Sequence, residues 1–392
     1  MLDVGVDPRQ VERDRQIAVV EKQATAAAKA KADKLAEITV HEVWLKYVEI
    51  RRPYWGALHY QDHINKIKPG GVESKRRGGK GLTAAQPLAE LMPLALKDLD
   101  QPRIEAWAAK EGQTRPTSAR LAWRLLTVFL TWCAEQPEYA ALLQGKNPAK
   151  TKKAREALGK AGTKKDVLQK GQLEAWFASV REINNPNISA CLQVLLLTGA
   201  RLNEVLTMRW EDVNTQWKGI SINDKVEGAR EIPLTPYVES LITALPRRNQ
   251  YVFASARALQ MDEKNIARRE RKSAAKGKTA PAGAVLETSG TGYITEPNTP
   301  HTRACRAAGL EGLTLHGLRR SFKSLTEWLE VPVGVVAQIQ GHKPSATAEK
   351  HYTVRPLELL ALHHEKIEAW ILEQAGVVYD AQVAPGGLRV VA

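Results

Sequence analysis

Large apolar side chains are scarce at the start of this chain and dense after Ile38. Residues 9 to 36 are rich in Ala, Lys, Glu, Gln and Arg, with almost no large apolar residue after Val20. Such a stretch predicts a solvated helix or a flexible lead-in without a core of its own. From Ile38 to about Asn65 the residues Val43, Trp44, Tyr47, Val48, Trp55, Leu58 and Tyr60 recur at helical spacing. The run Lys75 to Lys80 reads as a mobile basic loop, and Leu88 to Leu99 and Glu105 to Lys110 read as further helical material. The clearest helix of this half follows Pro116. Thr117 is its candidate N-cap, and Leu121, Leu125, Val128, Phe129 and Trp132 form its apolar stripe. Arg120 and Arg124 lie one turn apart, away from most of that stripe. They suit a phosphate-facing surface or an ordinary solvated helix face.

Between residues 146 and 165 the pattern breaks into Lys146, Lys150, Lys152, Lys153, Arg155, Lys160, Lys164 and Lys165, interrupted by Pro148, Gly159 and Gly162. This predicts a domain boundary. Apolar periodicity resumes after Asp166, with helices at Leu173 to Trp176 and Ala190 to Leu197, the latter ended by Gly199. Ile220 to Asn223 and Glu231 to Leu234 read as short strands around a Glu227-Gly228 turn. Residues 256 to 290 are polar, basic and rich in Gly and Ala, which predicts a flexible insertion. Helices return from His301 to about Glu373. The expected fold is mainly α with a small β-sheet (α+β). It divides into a polar lead-in over 1–37, a helical domain over 38–150, a basic linker over 151–165, a mixed domain over 166–375 and a tail over 376–392.

Composition narrows the class. A chain of 392 residues exceeds one typical core, and a formal charge of +14 points to a polyanionic partner, nucleic acid first and an anionic membrane surface second. No apolar run reaches the length of a membrane-spanning helix, the start lacks a signal-peptide pattern, and the basic residues do not sit opposite one apolar helical stripe. Cys133, Cys191 and Cys305 show neither metal-ligand spacing nor a paired framework, which fits reduced thiols of a cytosol.

The candidate chemistry lies in the second half. Arg201 sits in Thr198-Gly199-Ala200-Arg201-Leu202-Asn203-Glu204, followed in order by Lys225, His316-Gly317-Leu318-Arg319, Gly341-His342 and Tyr352. Each piece alone is bland. His-x-x-Arg is a common solvated helix face, a hairpin lysine is usually solvated, and a late tyrosine is usually core. Together they match what phosphodiester cleavage needs: a nucleophile, fixed positive charge on the non-bridging oxygens, and a proton for the leaving oxygen. Arginines can supply that charge where many enzymes use metal ions, and this sequence has no compact Asp/Glu cluster of the kind that holds Mg²⁺.

The order of these residues and their flanking segments resembles the tyrosine recombinase (phage integrase) family over roughly residues 38 to 375. The resemblance implies that Tyr352 attacks the scissile phosphate, His316 accepts its proton, and Arg201, Arg319 and His342 hold the phosphoryl oxygens. It further implies that Lys225 protonates the leaving 5′ oxygen and that Glu204 braces the arginine segment. No metal, cofactor or ATP is then required. The implied architecture is a helical core-site DNA-binding domain followed by a catalytic domain, closing around duplex core sites, with four protomers at synapsis and a monomer in the free state. Accessory bending or directionality proteins and a cytoplasmic, nucleoid-associated setting complete the picture. Arg115, Arg120, Arg124, Lys150, Lys152, Lys153 and Lys164 are the candidate DNA contacts. The C-terminal helix with Ile367, Trp370 and Ile371 suits either a neighbouring protomer or its own core.

Three departures accompany the resemblance. His342 and Tyr352 are ten residues apart, one wider than in many relatives, and the 256–290 insertion is longer than usual. The chain before Ile38 is too short and polar for the arm-site-binding domain of larger relatives and resembles the connector behind it, as in a shortened form. Two other readings compete: a type IB topoisomerase, and a non-catalytic DNA-binding relative.

Overall fold

The computed structural model describes residues 8–74, 81–143, 146–224, 228–255, 291–342 and 355–379. The basic loop at 75–80, Lys225, Tyr352 and the 256–290 insertion therefore lie outside the described residues. The chain forms two compact units, residues 1–163 and 164–392.

The first unit is helical. Pro8–Ala36 is one long helix with an exposed surface. Val40–Arg51 starts at a capping box: Thr39 Oγ1 accepts from Glu42 N at 3.2 Å, and Thr39 N donates to the Glu42 carboxylate at 2.8 Å. That helix buries Val40, Val43, Trp44, Tyr47 and Val48, the i, i+3, i+4, i+7, i+8 pattern of one face. Opposite it, Pro116–Glu135 buries Ala119, Ala122, Leu125, Leu126, Phe129, Leu130 and Cys133. Trp44 and Phe129 meet with ring centroids 4.9 Å apart, and Tyr47 lies 5.5 Å from Phe129.

Several local expectations change here. Pro116 is the first residue of its helix and Arg115 holds the cap position, so Thr117 is inside the first turn. A proline is already suited to that place, because its fixed φ fits and its missing N–H would have been unpaired. Val128 points to solvent at 57% exposure, so the buried stripe runs through Ala122 and Leu126 instead. Leu88 to Leu99 is not a helix but two 3₁₀ turns, Ala89–Leu91 and Leu96–Asp98, on either side of Pro93. Leu88, Leu91, Leu96 and Leu99 are all buried, so the apolar signal was a core signal without helical geometry.

The basic run is also more than a linker. Lys152–Leu158 is a helix capped by Thr151, whose Oγ1 accepts from Ala154 N at 3.1 Å, and it buries Ala154 and Leu158. It packs on Gln101–Thr114 at Gly112, where a Cβ would sit 2.5 Å from the Ala157 carbonyl oxygen. Trp123 Nε1 donates to the Ala149 carbonyl at 3.0 Å, tying the same segment to Pro116–Glu135. Part of the 151–165 stretch expected as a linker is therefore a helix of the first unit, with Ala154 and Leu158, one turn apart, buried in that unit's core.

The second unit is built around Pro186–Thr198, buried on almost every side. Asn185 caps it through hydrogen bonds from Asn187 N and Ile188 N. A three-stranded antiparallel sheet, β1 (Val213–Asn214), β2 (Gly219–Asp224) and β3 (Gly228–Pro233), lies in the order β1-β2-β3, with Ile222 opposite Arg230 and Ile220 opposite Ile232. Helices Asn298–Ala307, Leu315–Thr326, Val333–Gln340 and Leu357–Gln374 also belong to the unit. In the last of these, Ile367 and Ile371 are fully buried in the unit's own core. His364 Nε2 contacts the Leu197 carbonyl at 2.8 Å, and Glu368 accepts from Tyr237 N at 2.8 Å and Val238 N at 3.2 Å at the start of Pro236–Thr243. Of the two places suggested for this helix, it takes the intramolecular one. Among the described residues, no helix is long and apolar enough to cross a membrane.

Candidate active site

Four chain segments meet at one place in the second unit, and glycine decides how. Pro186–Thr198 stops at Gly199, whose φ of 57° is left-handed. A Cβ there would lie 2.5 Å from the Phe322 ring and 2.9 Å from Gln340 Nε2. The chain turns sharply and delivers Arg201 to the N-cap of Leu202–Leu206, where Arg201 N donates to Glu204 at 2.8 Å. Val333–Gln340 stops at Gly341 with φ 69°. Gly341 N donates to Gln338 O at 3.1 Å and His342 N to Ala337 O at 2.8 Å, the paired bonds of a Schellman turn. His342 is thus placed by the glycine before it.

Arg319 and Arg201 converge on that turn. Arg319 is 6% exposed on Leu315–Thr326. Its Nη1 donates to Gly199 O at 2.6 Å and Gln340 O at 2.8 Å, and its Nη2 donates to His342 Nε2 at 2.8 Å. Arg201 Nη2 donates to Gly341 O at 3.1 Å, and its Nη1 pairs with Glu204 at 2.6 Å. Two guanidinium groups from distant parts of the chain therefore hold consecutive carbonyls, Gln340 and Gly341, beside one imidazole. The sequence-expected Arg201, Arg319, His342 and Glu204 all belong to this cluster.

Its electrostatics are strongly positive. Partial burial and the charges of Arg319, Lys323, Arg201 and Arg230 hold the His342 pKa down to about 4. The ring is neutral at neutral pH, and since Nε2 accepts from Arg319, its proton belongs on Nδ1. His316, second residue of the Arg319 helix, has an exposed ring. Burial and then Arg320 and Arg319 lower its pKa, against an opposing pull from Asp166. Burial pushes the Glu204 carboxyl up, but hydrogen bonds from Arg230 and from the Arg201 backbone and side chain outweigh it and keep Glu204 ionised.

The start of His316's helix is held by Asp166. Its Oδ2 accepts from Thr314 N at 3.0 Å and Thr314 Oγ1 at 2.6 Å, and Oδ1 pairs with Arg320. Thr314 in turn caps the helix through Gly317 N at 3.0 Å. Gly317 is required by this approach, because a Cβ would sit 2.6 Å from Asp166 Oδ2.

Two members of the cluster were not anticipated from sequence. Arg230 binds both oxygens of Glu204, at 3.2 and 2.7 Å. Gln340, 1% exposed, donates from Nε2 to Arg319 O at 2.8 Å, while its Oε1 is buried with no hydrogen-bond partner among the described residues. For Arg230 a signal existed: it shares a strand face with Ile232, where a charge has to find a partner. Gln340 had none.

The candidate DNA contacts divide. Arg115 is engaged by the protein: Nη2 binds Glu111 at 2.8 Å, Nε binds the same carboxylate, and Nη1 binds Ala85 O at 2.5 Å. A guanidinium shared between a buried carboxylate and a carbonyl has a structural role in the first unit, whatever else it touches. Arg120 donates to Leu158 O at 3.0 Å and Thr117 Oγ1 at 3.2 Å. Lys152 pairs with Glu156 at 3.6 Å and Lys153 with Glu105 at 3.2 Å, both from exposed positions. Arg124, Lys150 and Lys164 are exposed.

Comparison with known proteins gives the same direction. Residues 39–156 match the phage integrase core-binding domain, and residues 166–285 match the phage integrase family. Prophage integrase IntF of Escherichia coli (strain K12) is 42% identical over 394 residues, covering 98% of this chain and 77% of its own length. In fold, the chain is similar to a lambda integrase dimer bound to a COC′ core site, with TM-score 0.56 and 17% identity over 89% of this chain and 93% of that one. It is equally similar to a lambda integrase tetramer bound to a Holliday junction, with TM-score 0.56 and 16% identity over 90% and 91% of the two chains.

Proposed function

Because this chain belongs to the phage integrase family of tyrosine recombinases, we infer that it is a site-specific DNA recombinase acting in the integration or excision of a phage or genomic island. It breaks and rejoins strands of duplex core sites through a 3′-phosphotyrosine link. The observation that carries this reading is the meeting of Arg201 and Arg319 on the Gln340-Gly341-His342 turn. Fixed donors of this kind, aimed where charge develops, are usually the largest catalytic term, and losing one costs roughly 10²–10³ in rate.

The chemistry assigns one role to each side chain. Tyr352 Oη attacks the phosphorus atom and the bond to the 5′ oxygen breaks. An unperturbed phenol has a pKa of about 10, so its proton has to leave as the new bond forms. His316, kept neutral by its surroundings, accepts it. Arg201 and Arg319 neutralise the non-bridging oxygens, His342 donates a hydrogen bond to them, and Lys225 gives a proton to the leaving oxygen. The energy of the broken bond is kept in the tyrosyl link, so a 5′ hydroxyl from another strand reverses the step. Four copies assemble on two core sites, with accessory DNA-bending or directionality proteins at full attachment sites.

The test is a suicide duplex carrying a nick near the cleavage position, incubated with the protein and denatured. The parent protein leaves a covalent adduct and Tyr352→Phe leaves none while binding the duplex equally well. An adduct from Tyr352→Phe moves the nucleophile elsewhere, and a parent protein that binds without any adduct is a DNA-binding relative instead.

A further inference from the structure

We propose that Arg230 is a positioning residue of this site, one that frees the charge of Arg201 for the phosphate and locks the His342 turn. The proposal rests on the reading of the site given above. Arg230 lies on β3, five residues after Lys225 in the sequence. Its side chain is only 15% exposed, so its partners are protein. Nη1 and Nη2 grip the two oxygens of Glu204, itself 7% exposed, at 3.2 and 2.7 Å. Nε reaches the Ile339 carbonyl at 3.4 Å. The guanidinium occupies the space a side chain would take at position 341, since a Cβ there would fall 2.7 Å from its Cζ and Nη1.

Charge balance gives Arg230 its purpose. Glu204 holds Arg201 by two bonds, at the backbone N and at Nη1. A carboxylate paired with Arg201 alone would cancel much of the field that Arg201 presents to a phosphate. A second guanidinium on the same carboxylate absorbs that negative charge and leaves the cluster net positive. The same group fills the gap behind Gly341 and reaches the carbonyl of Ile339, two residues earlier, so the turn bearing His342 is packed against a strand. The hairpin, the Arg201 segment and the His342 turn therefore share one fixed point. A lysine cannot supply it, because one ammonium does not match both carboxylate oxygens and a carbonyl together.

The test uses the full chain and the same suicide duplex. The variants are Arg230→Gln, Arg230→Lys, Glu204→Gln and the double variant Arg230→Gln/Glu204→Gln. Adduct formation is followed in single turnover at saturating DNA, and duplex affinity by fluorescence anisotropy. The expected result is a loss on the order of 10²-fold in adduct rate for Arg230→Gln and for Arg230→Lys, with affinity unchanged. The double variant should be no slower than the slower single one, because both remove the same network. Arg230→Lys keeps a cation beside Glu204, so it remains measurable if Arg230→Gln does not fold. Parent-like rates in Arg230→Lys, multiplicative losses in the double variant, or a fall in affinity with the rate intact would each overturn the proposal. A parent protein without an adduct would overturn the underlying reading as well, which separates the two failures.

Discussion

His316 and His342 are both histidines of one cluster, yet their surroundings give them different work. His342 accepts a hydrogen bond from Arg319 and is held near 4 by burial and four cations, so it stays neutral throughout the physiological range. His316 is largely exposed, and the partial burial of its ring together with Arg320 and Arg319 lowers its pKa below the ordinary histidine value. As the proton acceptor it has to be neutral before the attack. A depressed pKa keeps it neutral to lower pH, so the acid limb of the cleavage profile, read as kcat/KM, should fall below the ordinary value of about 6.5. An acid limb at or above that value would remove His316 from the role of base. At this scale the sequence displayed the identities of Arg201, Glu204, His316, Arg319 and His342, since their order and flanks are local. It did not display what holds them. The acceptors that hold Arg319 Nη1 are the backbone oxygens of Gly199 and Gln340, and a backbone oxygen has no letter in a sequence. Gln340 left no mark in the sequence and Arg230 only its place on a buried strand face, and the partners of both come from remote segments.

Helices whose boundaries are set by local chemistry were legible, and those set by contact were not. Gly199 reads as a helix end and is one; Gly341 and Thr314, a stop and a cap in the structure, carry the same local chemistry though neither is singled out as a boundary in the sequence. The 3₁₀ turns around Pro93 and the Lys152–Leu158 helix were read differently, because burial decides both. In Lys152–Leu158 a sequence dominated by charge hides Ala154 and Leu158, which are buried against Gln101–Thr114. Gly112 is the hinge of that packing, with the Ala157 carbonyl oxygen 2.5 Å from where a Cβ would be. Ordinary helix propensity favours alanine over glycine by roughly 1 kcal/mol. Steric crowding should reverse that sign, since overpacking of this kind costs about 1–3 kcal/mol and the obstacle is backbone. Gly112→Ala is therefore expected to lower the melting temperature of the isolated transition of the first unit, followed by near-ultraviolet circular dichroism or calorimetry. A variant as stable as the parent, or more so, would mean the two helices separate at little cost.

At the scale of the molecule, the charge of +14 says that a polyanion is the partner but not where it lies. The structure sorts the basic residues by what already occupies them. Arg115 is clamped by Glu111 and Ala85, and Arg120 by Leu158 and Thr117, so neither gives up its contacts without destabilising the first unit. Lys152 and Glu156 pair on an exposed surface, where such a pair contributes about 0–1 kcal/mol and breaks readily for a phosphate, whereas the exposed Lys153 pairs with the buried Glu105. Arg124, Lys150, Lys160 and Lys164 are exposed and carry the strongest expectation of phosphate contact. Each contact made to duplex DNA releases condensed counterions, adding about 0.9 to the slope of log K against log salt. Replacing Lys150, Lys160 and Lys164 by Gln together should therefore flatten that slope by up to about three such increments and weaken all duplexes alike. Replacing Arg115 should instead lower stability while leaving the salt slope unchanged, which separates a clamp from a contact in one pair of titrations. If the three lysine changes weaken one sequence and spare the others, these side chains read bases, and the basic stretch serves recognition of the site instead of general attraction to the backbone.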